Sequence, residues 1–405
     1  MKYKIDWPSR GHLYNNAELN DLNSFLNEKN TSLSKSKYVL KFEKLFSDYV
    51  GVKSLTTMSG AHSLDISSFL LEANDNDEII IPSHTYCASA IPFVRSKSKI
   101  IWADINKDCF TISYDHVKKL ITSKTKAIFI VHLYGLIATD TEKIIALAKK
   151  NKIKVIEDCA QALGAFKGNK SVGSFGDISC FSFHSQKNLT TLGEGGMICT
   201  NNNNFIEKIK LYRHNGHKPF ENSTDYWLPA MTDVCEVSND FIPMKSTMSE
   251  SQALIGLSVL KRLNNLTEKR RELFNYMTSK LSSINELQFQ KFNDKTSHSH
   301  HLLPARCTSK NWNRDNLIRI LHDKFSIKCV IQYYPLHRYS LFRNLGYGLA
   351  NVPETEKFYD NMISFPFSII FTKKEVDYII ASISKSIKLL NEHSNNSSKS
   401  GEQGD

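Results

Sequence analysis

From about Val50 onward, short runs rich in β-branched residues alternate with segments whose apolar positions recur at helical spacing. The runs are Asp77–Pro82 (DEIIIP), Lys99–Asp104 (KIIWAD), Lys126–Val131 (KAIFIV) and Lys154–Asp158 (KVIED). Between them lie stretches such as Thr141–Lys149 (TEKIIALAK), apolar at helical spacing and polar elsewhere. This alternation predicts βαβ units feeding a mainly parallel sheet, an α/β fold. Two more strand candidates follow, Ile178–Phe183 and Gly196–Thr200.

A helical pattern from about Met248 through Arg271, with Leu254, Leu257, Leu260 and Leu263 at compatible spacing, carries the chain out of this large domain. The stretch up to about Leu390 mixes helices with a strand candidate, Ile327–Tyr333, enough for a small α+β domain. The expected division is residues 1–255 for an N-terminal segment and the large domain, 256–390 for the small domain, and 391–405 for a disordered tail. The tail is expected because Ser394–Ser400 (SNNSSKS) is polar and rich in small residues.

Composition narrows the class. The 405 residues, 41% of them hydrophobic, suffice for two domains with a sizeable core and exclude a fibrous or disordered chain. No apolar run approaches the ~18 residues of a membrane span, and the start, MKYKIDW, lacks a signal-peptide core. A cytoplasmic protein is expected. Eight scattered cysteines with no CxxC pair argue against a disulfide framework or structural zinc. The net charge of +11 is spread along the chain, which fits ordinary solvated lysines as well as an anionic small ligand. With no basic stripe and no helix-turn-helix, nucleic acid is not an expected partner.

Three segments can carry chemistry. In Val155–Gln161 (VIEDCAQ) an apolar run stops at acids, so Asp158 projects beyond the carboxyl end of a strand, where open parallel sheets bind ligands. The same acid could cap a helix or hold a ribose. In Cys180–Lys187 (CFSFHSQK), Ser182 and His184 share one face of a strand, Phe181 and Phe183 the other, and Lys187 lies in the loop beyond. With Leu192–Gly196 (LGEGG) following, Lys187 is either a solvated charge or a Schiff-base amine beside a phosphate cradle. Thr56–Ser63 (TTMSGAHS) opens a helical pattern and offers backbone amides to a phosphate, or is a plain N-cap. It matches neither the P-loop nor GxGxxG, so ATP and NAD gain little. His298, His300 and His301 are close in sequence but lack acidic or cysteine company, so no metal site is expected.

Together these segments resemble the sugar aminotransferase (DegT-type) family of the aspartate aminotransferase superfamily, from about Phe42 to Ile383. The resemblance rests on Ser182-Phe-His-x-x-Lys187 with Gly193-Glu-Gly-Gly196, preceded by Glu157-Asp-x-Ala-Gln161. Supporting matches are Asp77–Tyr86, Val131–Gly135, Met248–Ala253, Tyr334–His337 and Ser364–Pro366. It implies fold type I of the pyridoxal 5′-phosphate (PLP) enzymes. There a large domain surrounds a mainly parallel, seven-stranded-type sheet, a small C-terminal α+β domain follows, and two chains of a homodimer share the active sites.

The resemblance also implies roles. Lys187 is similar to the lysine that joins the cofactor and then moves a proton, Asp158 to the acid at the pyridine nitrogen, and Gln161 to the residue beside the ring hydroxyl. Tyr86 corresponds to the aromatic stacked on the ring; Ser182 and the Ser59-Gly60-Ala61 turn correspond to the phosphate holders. The family commonly has Thr at the position of Ala61, which leaves backbone amides and Ser63 to suffice. It commonly has Asn and Arg before Met248, where this chain has Lys245 as the candidate charge toward a neighbouring subunit. His337, Arg213 and His301 are implied near the substrate, with a surface role as the alternative for His337 and Arg213. The segment from Gly216 to Asp240, with Tyr226, Trp227 and Pro229, is longer than the family leads one to expect and is a candidate lid.

The activity implied is a two-step transamination from an amino donor, glutamate, to a keto sugar. That sugar is a 3-keto or 4-keto deoxysugar on dTDP, UDP or GDP, destined for surface polysaccharide or other glycans. A PLP-dependent sugar dehydrase of the same family usually carries His in place of Lys187. A non-catalytic regulatory relative is opposed by the intact Asp158, Gln161, Ser182 and Lys187 set.

Overall fold

The structure, a computed structural model, describes residues 3–34, 36–219, 232–235, 237 and 242–401. Tyr226, Trp227 and Pro229 of the candidate lid lie outside the described residues. The strands expected of the large domain form, joined by one that was not expected, β1 (Ser54–Thr57): β2 (Glu78–Pro82), β3 (Lys99–Ala103), β4 (Thr125–Val131) and β5 (Lys154–Asp158) follow it. After a small hairpin of β6 (Phe166–Lys167) and β7 (Lys170–Ser171) come β8 (Ile178–Ser182) and β9 (Gly196–Cys199). They make a seven-stranded sheet in the order β1-β9-β8-β5-β4-β2-β3, in which only β9 runs against the rest. The isoleucine runs follow from this position, because a parallel sheet covered on both faces buries both sides of its central strands, all of β2 and all but Lys126 of β4.

Helices α1 (Asn16–Leu26) and α2 (Lys37–Val50) precede the sheet, and α3 (Gly60–Leu70), α4 (Ile91–Arg95), α5 (Tyr114–Leu120) and α6 (Thr141–Lys150) connect its strands. α7 (Asn203–Tyr212) follows it and leads into the hairpin β10 (His217–Pro219) and β11 (Thr232–Val234). The helix expected from Met248 to Arg271 is two, α8 (Glu250–Lys261) and α9 (Leu263–Leu281). They part at Arg262, whose guanidinium turns back to Glu18 and the Leu13 carbonyl. Leu263 and Leu266 of α9 join the core around Phe42, Phe46 and Phe183, while Phe274, Met277 and Leu281 of the same helix join a second core.

That second core belongs to an antiparallel sheet of β12 (Leu287–Phe289), β13 (Leu303–Cys307) and β14 (Met362–Phe365), covered by α10 (Arg314–Phe325) and α13 (Lys373–Gly401). α11 (Ser340–Asn344) and α12 (Pro353–Asn361) lie between. Ile5 is buried in this core, so the N-terminus crosses back to the second domain. Two expectations are corrected. Ile327–Tyr333 is not a regular strand: Ile327 bridges to Ile5 and Val330 to Ser364, so its two pairings fall on different partners. Residues 391–401, expected to be disordered, continue α13, where Asn391 accepts from the Trp312 ring nitrogen and donates to Glu286. Among the described residues no helix is long and apolar enough to cross a membrane.

Candidate active site

The carboxyl ends of the parallel strands gather one cluster of polar side chains. Gly196 of β9 pairs with Thr57 of β1 on one side and Ser182 of β8 on the other, which brings the end of β8 beside the start of α3. A Cβ at Gly60 would stand 2.7 Å from the Ser182 Cβ, so only glycine lets the first turn of α3 approach that closely. Ser59 caps the helix by accepting the His62 N–H at 3.2 Å. The first-turn amides, the Ser59 and Ser182 hydroxyls and the positive end of α3 form an anion cradle. Ser63 does not join it: its buried hydroxyl bonds Thr57 at 2.7 Å, facing the core. The ring of His62 instead stands 2.9 Å from the Ser59 hydroxyl, with Ala61 exposed beside it.

Asp158 ends β5 and is buried. Its Oδ2 accepts the Ser89 hydroxyl at 2.8 Å and its Oδ1 the Ala160 N–H at 3.1 Å, while Ser89 lies 3.1 Å from Thr85. Gln161 is oriented by the backbone. Its Oε1 accepts the Tyr134 N–H at 2.7 Å, so its Nε2 faces away and donates to the Tyr333 hydroxyl at 2.6 Å. The Tyr86 ring, 59% exposed, stands 6.0 Å from the Tyr333 ring.

Lys187 follows a tight turn in which its N–H donates to the His184 carbonyl at 2.8 Å. Burial pushes its ammonium pKa below 10.5, while the negative charges of Asp158 and Glu194 push it back up. His301 lines the same cavity as Lys187 and is held well below 6.5 by burial, by Lys187 and by Arg270, so it is neutral there. Its Nδ1 lies 3.2 Å from the Asn188 side chain.

The N-terminal segment, given no role from the sequence, packs on this loop. The Gly11 N–H donates to the Ser185 carbonyl at 2.8 Å, and Gln186 donates to the Pro8 carbonyl at 2.9 Å. A Cβ on Gly11 would fall 1.9 Å from the Lys187 carbonyl, which excludes every other residue there. Ser89, Tyr333 and Arg270 also escaped the sequence reading. The Trp7-Pro8 and Gly11 pattern in an otherwise plain N-terminus was the one available signal.

Two expected substrate-side residues are engaged by partners within the fold. Arg213 pairs with Glu43 at 2.5 Å and donates to the Thr56 carbonyl at 2.9 Å, while Glu43 also accepts the Thr56 N–H. A largely buried guanidinium needs such an acid, and the pair props β1 instead of facing a ligand. Both nitrogens of His337 are engaged, Nδ1 with Ser83 at 2.8 Å and Nε2 with Glu356 at 2.6 Å, so it fastens the segment before α11 to the end of β2. Lys245 is exposed with its amine 3.3 Å from His214, in a segment that accepts the Met58 N–H through Ser246.

The donor set fits PLP. A phosphate dianion matches the cradle of Ser59, Gly60, Ala61 and Ser182, a protonated ring nitrogen matches a buried carboxylate with open lone pairs, and an aldehyde matches a partly desolvated amine. GDP-perosamine synthase of Escherichia coli O157:H7 is 31% identical over 363 residues, covering 87% of this chain and 91% of that protein. The dTDP-3-amino-3,6-dideoxy-alpha-D-galactopyranose transaminase of Aneurinibacillus thermoaerophilus is 30% identical over 349 residues, covering 85% and 88%. The solved structure of Helicobacter pylori PseC, an aminotransferase involved in pseudoaminic acid biosynthesis, superposes with a TM-score of 0.84 at 27% identity, covering 94% of this chain and 99% of that one. The chain is thus a PLP-dependent transaminase and belongs to the DegT/DnrJ/EryC1/StrS aminotransferase family, whose model matches residues 14–384.

Proposed function

We propose that the protein moves an amino group from glutamate to a nucleotide-linked 3-keto or 4-keto deoxysugar in glycan biosynthesis, with Lys187 as the residue that holds the cofactor and carries the proton. The observation that carries this reading is the joint placement of Asp158, Gln161, Ser182 and a lysine, not a histidine, at one end of the sheet. The lysine speaks against the dehydrase reading. The printed activities of the GDP- and dTDP-linked relatives support the substrate class.

PLP supplies an electron sink for the carbon that bears the amine. Around it each side chain has one task. With PLP bound, Asp158, held by Ser89 and Ala160, would keep a proton on the ring nitrogen. Gln161, whose amide donates to Tyr333, would lie beside the ring hydroxyl. Tyr86 would cover one ring face and exclude water, and the α3 cradle with Ser182 would anchor the phosphate. The Lys187 amine, lowered in basicity by burial, would pass a proton to and from the reacting carbon. Lys245 is assigned to the phosphate of a neighbouring copy in a homodimer.

The test is a pair of half-reactions. L-glutamate should bleach the visible band of the PLP-loaded protein, and a panel of keto sugar nucleotides should restore it, with an amino sugar as product by mass and NMR. A band that glutamate and other amino acids leave unchanged refutes the reading.

A further inference from the structure

The residue that follows Lys187 sets the state of a ring beside it. Asn188, 4% exposed, donates its amide hydrogens to the carbonyls of Leu163 at 3.3 Å and Ser299 at 3.2 Å. Carbonyls only accept, so the nitrogen must lie on that side and the amide cannot be flipped. Its Oδ1, also only an acceptor, then faces His301 Nδ1 at 3.2 Å. His301 Nδ1 therefore carries the ring hydrogen. His301 is 5% exposed, and burial together with the charges of Lys187, Arg270 and His184 holds it neutral, so the ring has no second hydrogen. Nε2 is left with a bare lone pair, to which none of the described residues donates. It is not sealed in, as both ring nitrogens of the neighbouring His300 are. The His301 N–H anchors the residue by donating to the Tyr134 carbonyl at 3.0 Å. With Lys187 the ring lines a cavity of about 50 Å³, which has room for water, since one molecule needs ~10–15 Å³. Of the three charges that act on the ring, that of Lys187 acts most strongly.

We propose that His301 is a positioning residue for the Lys187 amine, accepting its N–H at Nε2 directly or through one water, and that Asn188 is the positioning residue that keeps Nε2 bare. The assignment rests on the transamination reading, in which the amine must offer its lone pair to the reacting carbon. A neutral amine donates through its hydrogens and has a single lone pair, so an acceptor that holds one N–H leaves that lone pair free and aimed away from itself. A ring with its hydrogen on Nε2 would do the opposite, donating into the lone pair and occupying it. Neutral imidazole can adopt either form; Asn188 removes the choice. One loop thus supplies the amine and, one residue on, the amide that fixes the ring beside it.

The ring is read by nitrogen NMR of the native protein labelled with ¹⁵N-histidine, the His301 signals being those lost in His301→Gln. Nδ1 should be protonated and Nε2 bare across neutral pH, and in Asn188→Leu the two forms should mix. Capture of PLP by the apoprotein uses the same lone pair and should slow about tenfold in His301→Phe, which keeps a ring but removes the acceptor. In the half-reaction, His301→Phe should lower the maximal rate of bleaching by L-glutamate about tenfold or more, while half-saturating glutamate stays within about threefold. The rate difference between ordinary and 2-deuterated glutamate should grow, because proton transfer from carbon is the step slowed. His301→Gln, whose carbonyl is again an acceptor, should regain most of the loss. A hydrogen on Nε2 in the native protein overturns the proposal, as does unchanged PLP capture by His301→Phe. So does a rise in half-saturating glutamate with the maximal rate and deuterium effect unchanged, which gives the ring to substrate binding. A bare Nε2 and slowed capture in a protein that glutamate cannot bleach uphold the positioning of Lys187 and refute the transamination reading instead.

Discussion

Glu157 and Asp158 are neighbours on β5, both buried, and they face opposite sides of the sheet. Glu157 accepts the N–H groups of Gly173, Phe175 and Gly176 at 3.0, 2.8 and 2.6 Å and lies 2.9 Å from His132 Nε2. His132 accepts the Ala138 N–H through its other nitrogen, so Nε2 carries the hydrogen and donates it to Glu157. These groups and Cys159 are near enough to hold a metal, yet Glu157 and His132 have already engaged their oxygens and nitrogens within the fold. Among the described residues Asp158 accepts two hydrogen bonds, about half of a carboxylate's acceptor capacity. Burial and charge alone therefore do not distinguish the two acids; unsaturated hydrogen-bonding capacity does.

The contrast can be broken by substitution. Lys187→Ala should lower turnover by about 10,000-fold or more, read as steady-state amino transfer, because no other side chain at the site offers a displaceable amine. Asp158→Asn should cost about 100- to 1,000-fold while the protein stays folded, since the amide cannot hold a proton on the ring nitrogen. Glu157→Gln should do the reverse. Turnover per folded molecule should stay within about threefold, but urea unfolding should show a loss of about 3 kcal/mol as buried donors lose their anion. If Glu157→Gln were stable and inactive, the division of labour on β5 would be wrong. Ser89→Ala, which removes one hydrogen bond to Asp158, should lower turnover about tenfold and cost about 1 kcal/mol in the same unfolding test.

The smallest effect sharpens the account of Lys187. Glu194 raises the pKa of that amine, so removing its charge lowers it. Capture of PLP by the apoprotein needs the unprotonated amine and should rise with pH to a plateau. In Glu194→Gln the plateau should be reached at lower pH, read from the rate of growth of the visible band. A midpoint shifted upward would contradict the geometry.

Much of the sheet was legible because β2 to β5 carry contiguous apolar runs, whereas β1 (SLTT) has none; Asp158 and Ser182 sit at strand ends, with Gln161 and Lys187 in the loops that follow. What escaped arrives from far along the chain. Tyr333 reaches Gln161 across 172 positions, and Arg270 meets Gly11 across 259. Neither has a local pattern that marks it. The partners of Arg213 and His337 were hidden for a related reason: a sequence displays the charge of a side chain, not the Glu43 or Glu356 that pairs with it. The Ile327–Tyr333 segment has strand-like residues, but a strand needs one continuous partner and this one has two. The polar end of α13 reads as a tail until Trp312 is seen holding Asn391.

The central claim concerns a single amine. Treating the PLP-loaded protein with borohydride should fix the cofactor to one peptide, and fragmentation should place the added mass on Lys187. A label on any other lysine, or no label on a protein that shows the visible band, would contradict the account.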